Sequence, residues 1–349
     1  MFFNNNKGIT LEQYKEPMFS RKIIRLPVCD KIPVKAPEEK KIAPEKLADS
    51  DILVIARNAK IIDEYDGEHL WKKIYNAVLD NKTSVIIDAI DDEPYISSQI
   101  SPAIEYSSQL AKGIALLKKA LGTDDVKIEV YKNFLELDTK IPAEIGGVKV
   151  DFVGGTYPVE QRAHRAKRKK NASIFGVCSI LALYKAVYEG MYHTTCYVTV
   201  AGDCIANPAN YEVPIGYTVA DVLSDAGLLA EPKRIIVGGS MTGVAVNDGS
   251  KVAVGATTRA ILAFHDEFKK MEEACIGCGR CANVCPQNLA PFTIYQVLKR
   301  RKYDSLALLN ADRCISCGLC SYICPAKLEL QQSVHRAAEI TKQIKEEKE

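Results

Sequence analysis

Apolar positions along this chain change their period several times, and each change predicts an element. Over residues 103–121, Leu110, Ile114, Leu117 and Leu121 recur at spacings of three and four, which predicts a helix with one buried stripe, ended by Gly122. A second helical pattern covers Cys178 to Glu189, with Leu181, Tyr184 and Tyr188 in line, and a shorter one runs around His69 to Leu79. The apolar run Ile52 to Ile55 precedes them. Strand-like runs lie between: SVIID at Ser84 to Asp88, VKIEVY at Val126 to Tyr131 and VKVDFV at Val148 to Val153. Strands alternating with helices predict an α/β layer domain over 51–192. After His193 the texture changes to short strands and turns, CYVTVAGD and RIIVGG, around a helix at Thr218 to Asp225. This predicts a separate α+β domain over 193–264. The charged segment HDEFKKMEE predicts a connecting helix into a last domain, 265–349. Residues 1–50, rich in Pro and Lys, read as extended and solvated.

Length and composition support several cores: 349 residues with 47% hydrophobic content exceed what one small domain needs. A formal net charge of +2, with no basic arm at either end, argues against nucleic-acid binding. No apolar run approaches the length of a membrane span, and the N-terminus lacks a basic-then-apolar leader, so the expectation is a soluble cytoplasmic protein.

Twelve cysteines change the picture, because eight fall within 50 residues and four are scattered singly. Cys275, Cys278, Cys281 and Cys285, followed by Pro286, form one run. Cys314, Cys317, Cys320 and Cys324, followed by Pro325, repeat it. This doubled spacing is that of bacterial two-cluster ferredoxins, in which three thiolates of one loop hold one cubane and the fourth reaches the other. On that rule one 4Fe-4S cluster takes Cys275, Cys278, Cys281 and Cys324, and the second takes Cys314, Cys317, Cys320 and Cys285. Small residues at Gly277, Gly279, Ser316 and Gly318 let backbone N–H groups approach the sulfur atoms. Two zinc knuckles are the alternative, since paired CxxC also binds zinc. The third cysteine at the same interval and the repeated Cys-Pro favour iron-sulfur clusters. With all eight thiols used as ligands, no iron is left open for substrate, which predicts relay rather than catalysis.

Five further segments resemble a known family. Leu26 to Pro37 (LPVCDKIPVKAP) is similar to its opening segment, and Asp91 to Ile96 (DDEPYI) to its acidic EPY segment. Thr156 to Glu160 (TYPVE), Val198 to Gly216 and Gly238 to Gly243 (GGSMTG) are similar to later signatures, ahead of the cysteine runs. The chain thus resembles the C subunit of the Rnf electron-transport complex and its soluble relatives, the propanediol-microcompartment cobalamin reductase and the electron-transfer protein associated with proline reductase. The resemblance implies a complex I flavin-subunit-like α/β domain, a β-grasp domain of the SLBB type and a dicluster ferredoxin-like domain. It also implies electrons passing from NADH through FMN to the clusters, with Asp91, Asp92, Glu93, Tyr95 and Tyr157 as cofactor-binding residues. A redox protein partner in a hetero-complex, peripheral to a membrane complex, is implied too.

The chain departs from that pattern at one place. Relatives carry a Gly-rich phosphate loop shortly before the EPY segment. Here the interval from Glu68 to Asp80 holds no glycine and only Gly67 lies nearby, and much of the N-terminal barrel-like region is missing. Two readings follow: a relay that accepts electrons from a nicotinamide or flavin donor and passes them to a reductase, or a flavin-less, cluster-bearing adaptor docked in a larger complex.

Other features are weighed more briefly. The basic stretch Arg162, His164, Arg165, Lys167, Arg168, Lys169 and Lys170 suits steering of an acidic partner or a solvated helix face. Gly238 to Gly243 reads as a β-grasp turn. Cys178, Cys196 and Cys204 read as buried hydrophobes, and Cys29 as a thiol open to redox exchange. Trp71 and Tyr75 read as core or a partner face.

Overall fold

A computed structural model describes residues 23–25, 44–132, 141–168, 171–266 and 272–346. The segment Leu26 to Pro37, Cys29, Lys169, Lys170 and residues 267–271 of the charged connector lie outside the described residues. The chain divides into two compact units, Met1–Asp266 and Glu267–Glu349.

The first unit contains two sheets. One short strand, β1 (Ile23–Arg25), belongs to the second of them. The first sheet is built from β2 (Ser84–Ala89), β3 (Val126–Tyr131), β4 (Glu144–Ile145), β5 (Val148–Val153) and β6 (Ala172–Gly176), in the order β4-β5-β3-β2-β6. β2 pairs in parallel with both β3 and β6, β3 with β5, and only β4 runs antiparallel. A strand that leaves on one side for β3 and is flanked on the other by β6 makes a doubly wound sheet. Its crevice for ligands lies beyond the carboxyl ends of β2, β3 and β6.

Helices α1 (Asp49–Asn58), α2 (Leu70–Leu79), α3 (Ile100–Glu105), α4 (Ser107–Leu121), α5 (Val159–Arg168) and α6 (Val177–Tyr184) belong to this layer. The stripe Leu110, Ile114 and Leu117 is buried, and Gly122 ends α4 in the left-handed region at φ 63°. Gly113 lets α4 approach α6: a Cβ there would lie 2.6 Å from the Ile180 carbonyl oxygen. The predicted helix over 103–121 is broken at Tyr106, which leaves helical dihedrals (φ −105°, ψ 35°) as its ring tilts onto Tyr197, 5.7 Å between centroids. The predicted helix to Glu189 is α only to Tyr184 and continues as one π turn, Lys185–Glu189, with Tyr184 and Tyr188 stacked at 4.9 Å.

The second sheet has the order β1-β8-β7-β11-β9-β10, with β7 (Thr195–Ala201), β8 (Ala209–Pro214), β9 (Arg234–Val237), β10 (Val244–Val246) and β11 (Ala260–Phe264). β7 and β8 form an antiparallel hairpin, and β11 returns parallel to β7. Helix α7 (Val219–Ala226) covers the sheet, burying Val219, Val222 and Leu223 against Val198, Tyr211 and Ile261. Its N-cap is Thr218, whose hydroxyl accepts from the Asp221 N–H at 3.1 Å. A buried polar network ties the second sheet to α3 and the loop before it. Asn210 Nδ2 donates to Ser97 Oγ (2.8 Å) and Ser101 Oγ (3.0 Å), while Thr199 Oγ1 accepts from the Ser97 N–H (3.0 Å).

The second unit packs α9 (Pro291–Lys299) against α12 (Leu330–Glu346) around Leu289, Ile294, Leu306, Val334 and Ala337. Between them run two copies of one motif, each a cysteine loop closed by a single helical turn: α8 (Arg280–Asn283) and, after α10 (Asp304–Leu308), α11 (Leu319–Tyr322). Among the described residues no helix is long and apolar enough to cross a membrane.

Candidate functional site

The duplicated cysteine motif repeats its backbone as well as its spacing. Positive φ recurs at matching places: Gly277 (69°) and Ser316 (54°), Gly279 (70°) and Gly318 (79°), Asn288 (55°) and Lys327 (54°). A Cβ at Gly277 or Gly279 would meet nothing within 4 Å, so the left-handed turn and not lack of space explains glycine there. That turn aims backbone N–H groups at sulfur: Gly277 N–H to Cys275 Sγ and Ser316 N–H to Cys314 Sγ, both at 3.4 Å, and Leu289 N–H to Cys285 Sγ at 3.4 Å. Such contacts stabilise a reduced, electron-rich sulfur.

Packing brings the last cysteine of each run to the other run. Cys285, Cys314, Cys317 and Cys320 line one cavity with Pro286, Leu289 and Val334, and Cys324 shares an apolar cluster with Cys281. Burial pushes the Cys281, Cys314 and Cys317 thiols up, and the Cys320 thiol up to about 12 with the added repulsion of Cys317 and Cys314. The first loop is the more open of the two: Cys275 and Cys278 are exposed, whereas Cys317 and Cys324 are buried.

The crevice of the first sheet is built differently. In the segment ahead of α2 the Asp63 and Glu64 carboxylates turn inward, whereas Asp66 and Glu68 are exposed. Glu64 accepts the N–H groups of Cys178 (2.7 Å) and Ser179 (2.9 Å), filling the N-terminus of α6. Gly176 at the end of β6 permits this, since a Cβ there would lie 2.1 Å from Glu64 Oε1. Asp63 accepts the Gly176 N–H (3.1 Å) and pairs with Lys73 (2.7 Å). Burial, then the neighbouring Asp63 charge, pushes the Glu64 carboxyl up to about 7.

The three acidic residues expected to hold a cofactor are engaged in the same way. Asp91 Oδ2 accepts the N–H groups of Gln99 (3.0 Å) and Ile100 (2.9 Å) at the start of α3. Asp92 Oδ2 accepts those of Val159 and Glu160 at the start of α5. Glu93 Oε2 accepts those of Met241 (2.7 Å) and Thr242 (3.2 Å) in the turn between β9 and β10, which is Gly238 to Gly243 seen in structure. Tyr95 sits at φ 71° with its ring edge-on to Phe264, and Tyr157 is half-buried just before α5.

Sequence reading missed Asp63, Glu64, Asp88, Glu129 and Arg259, all in or beside this crevice. The available signal was a charge inside an apolar strand: Asp88 in VIIDA and Glu129 in KIEVY are both fully buried. His164, read as part of a solvated basic face, is buried instead and turns toward these two strands. Cys178, Cys196 and Cys204 are buried, as expected of hydrophobes.

Comparison with known proteins adds two domain families and a set of relatives. Residues 274–328 match the 4Fe-4S dicluster domain family and residues 197–245 the SLBB domain family. The C subunit of an ion-translocating oxidoreductase complex from Rhodobacter capsulatus is 31% identical over 234 residues, 61% of this chain and 44% of that protein. The chain is similar to these C subunits over about three fifths of its length. The C subunit of the Na+-translocating ferredoxin:NAD+ oxidoreductase complex of Acetobacterium woodii is 28% identical, covering 65% of this chain and 55% of its own length. The chain therefore spans about half the length of these curated relatives. In fold, the structure of an NAD+-reducing NiFe-hydrogenase in the air-oxidized state aligns with TM-score 0.54 at 15% identity, over 84% of this chain and 63% of the other. The chain thus combines an α/β layer domain, an SLBB domain and a 4Fe-4S dicluster domain, and shares its fold with part of the hydrogenase.

Proposed function

We propose that this chain relays electrons, one at a time, through two 4Fe-4S clusters as a component of a larger redox complex. The carrying observation is the cavity that gathers Cys285 with Cys314, Cys317 and Cys320, while Cys324 packs beside Cys281. On this reading cluster one is held by Cys275, Cys278, Cys281 and Cys324, and cluster two by Cys314, Cys317, Cys320 and Cys285. Two cubanes sharing one small unit suit relay, because electron tunnelling needs proximity and no open coordination position. The clusters supply one-electron redox capacity. The chain's own residues supply thiolates, the N–H contacts to sulfur, and the apolar packing of Leu289, Val334 and Ala326 that limits water.

The flavin that relatives imply does not fit the residues of the crevice. A flavin phosphate carries negative charge and seeks free N–H groups, above all at helix N-termini. Four carboxylates already take those donors: Glu64 at α6, Asp91 at α3, Asp92 at α5 and Glu93 at the 238–243 turn. This favours the form of the proposal in which hydride chemistry and its flavin belong to a partner flavoprotein, and the chain receives single electrons. Electron paramagnetic resonance of the anaerobically purified chain tests it. Dithionite, or NADH together with the partner flavoprotein, is expected to bring up the reduced-cluster signals, and NADH alone to leave the clusters oxidised. Full reduction by NADH alone would overturn the flavin-less form, and absence of any cluster signal after dithionite would overturn the relay.

A further inference from the structure

The crevice holds one group of side chains that neither the relay nor the filled anion sites explain. Asp88 on β2 and Glu129 on β3 are register partners at the carboxyl ends of adjacent parallel strands, both fully buried. From α5, His164 reaches toward the same point, with Nε2 3.3 Å from Glu129 Oε2 and 3.7 Å from Asp88 Oδ1. Glu160, one turn earlier on α5, completes the group. Ligand atoms of Asp88, Glu160 and His164 all lie within 4.8 Å of one another. His164 is only 1% exposed, yet neither of its ring nitrogens makes a hydrogen bond. A buried imidazole in that state is rare, because lost hydration is normally replaced. Tyr65 meets the imidazole edge-on at 5.2 Å and fixes its plane.

Charge points the same way. Arg259 pairs with Glu160 (2.7 Å) and Asp88 (3.2 Å), so one guanidinium is shared between two carboxylates of the group. A bound cation would offset the carboxylate charge that Arg259 shares.

We propose that Asp88, Glu129, Glu160 and His164 form a binding site for a divalent first-row transition ion, separate from the iron-sulfur clusters. Three carboxylates and one imidazole suit Mn2+, Fe2+ or Zn2+. Bond lengths near 2.1 Å place neighbouring ligand atoms about 3 Å apart, so the observed 3.3 and 3.7 Å separations need only a small contraction. Arg259 positions two of the carboxylates and is not a ligand. The site stands at the switch point of the sheet, where doubly wound folds bind their ligands, and it does not depend on whether the relay reading holds.

Mn2+ is the probe of choice because oxidised 4Fe-4S clusters do not contribute to its paramagnetic signal. The full chain, iron in place, is dialysed against chelator and titrated anaerobically with Mn2+. The expected result is one Mn2+ removed from the free six-line signal per chain, with nitrogen coupling from one imidazole in the pulsed spectrum. His164→Gln should abolish that coupling and weaken binding at least ten-fold at unchanged iron content. Glu129→Gln should weaken binding about as much and keep the coupling, which covers the case in which His164→Gln does not fold. His265→Gln serves as control, because Asp203, His265 and Asp266 form a second, more open group. It should change neither. A free Mn2+ signal that stays undiminished, a coupling that survives His164→Gln or vanishes in His265→Gln, or unchanged affinity in Glu129→Gln would each overturn the proposal.

Discussion

The cysteine loops and the α/β crevice treat their polar backbone groups in opposite ways. Around the cysteines, left-handed turns leave N–H groups facing sulfur, and the ligand atoms converge on a cavity. In the crevice, backbone N–H groups at three helix starts and in the 238–243 turn are taken by Glu64, Asp91, Asp92 and Glu93. The lesson is that one chain can aim its backbone donors at a ligand in one region and satisfy them internally in another. An internal carboxylate at a helix N-terminus satisfies the same dipole as an external phosphate.

Breaking the cysteine side should have the largest effect. Cys285→Ser is expected to disturb the cluster of the second run and Cys324→Ser that of the first, each lowering iron from about eight toward about four per chain. Iron analysis with electron paramagnetic resonance checks this. Loss of the first-run cluster from Cys285→Ser would reject the crossed ligand sets.

Next comes the pH response of the crevice. Glu64 is raised from 4.5 to about 7 in the folded chain. The folded state therefore binds its proton more tightly than the unfolded state, so the contribution is complete below pH 4.5 and is lost as pH rises through about 7. It is worth at most about 3 kcal/mol. Thermal unfolding should show stability falling across that window, and Glu64→Gln should flatten part of the slope. An unchanged slope would show that Glu64 is not a buried carboxylate.

A smaller effect sharpens the contact itself. Gly176→Ala places a Cβ against Glu64 and should cost roughly 1–3 kcal/mol by overpacking. In a Glu64→Ala background the same change should cost less, because the two side chains are coupled. Equal costs in both backgrounds would separate the two residues.

How legible these regions were in the sequence differs for a physical reason. The cysteine runs, the strands Val126 to Tyr131 and Val148 to Val153, and the α4 stripe all obey local rules of spacing and period, and the structure keeps them. The break at Tyr106 was hidden, because it arises from a ring contact with Tyr197, 91 residues away in sequence. The crevice was hidden for the same reason. Glu64 meets Cys178, Glu93 meets Met241, and Arg259 meets Asp88, all long-range contacts that no local pattern encodes. His164 was misread because a basic stretch on one helix suggests a wet face, whereas the side chain that decides the site is the one turned inward.

Flavin and iron content of the chain, purified without oxygen in FMN-supplemented buffer and extracted with acid, tests the contrast most directly. About eight irons per chain with no flavin is the predicted result. One flavin per chain would contradict it, because the four internal carboxylates would then have to yield their N–H groups to a ligand.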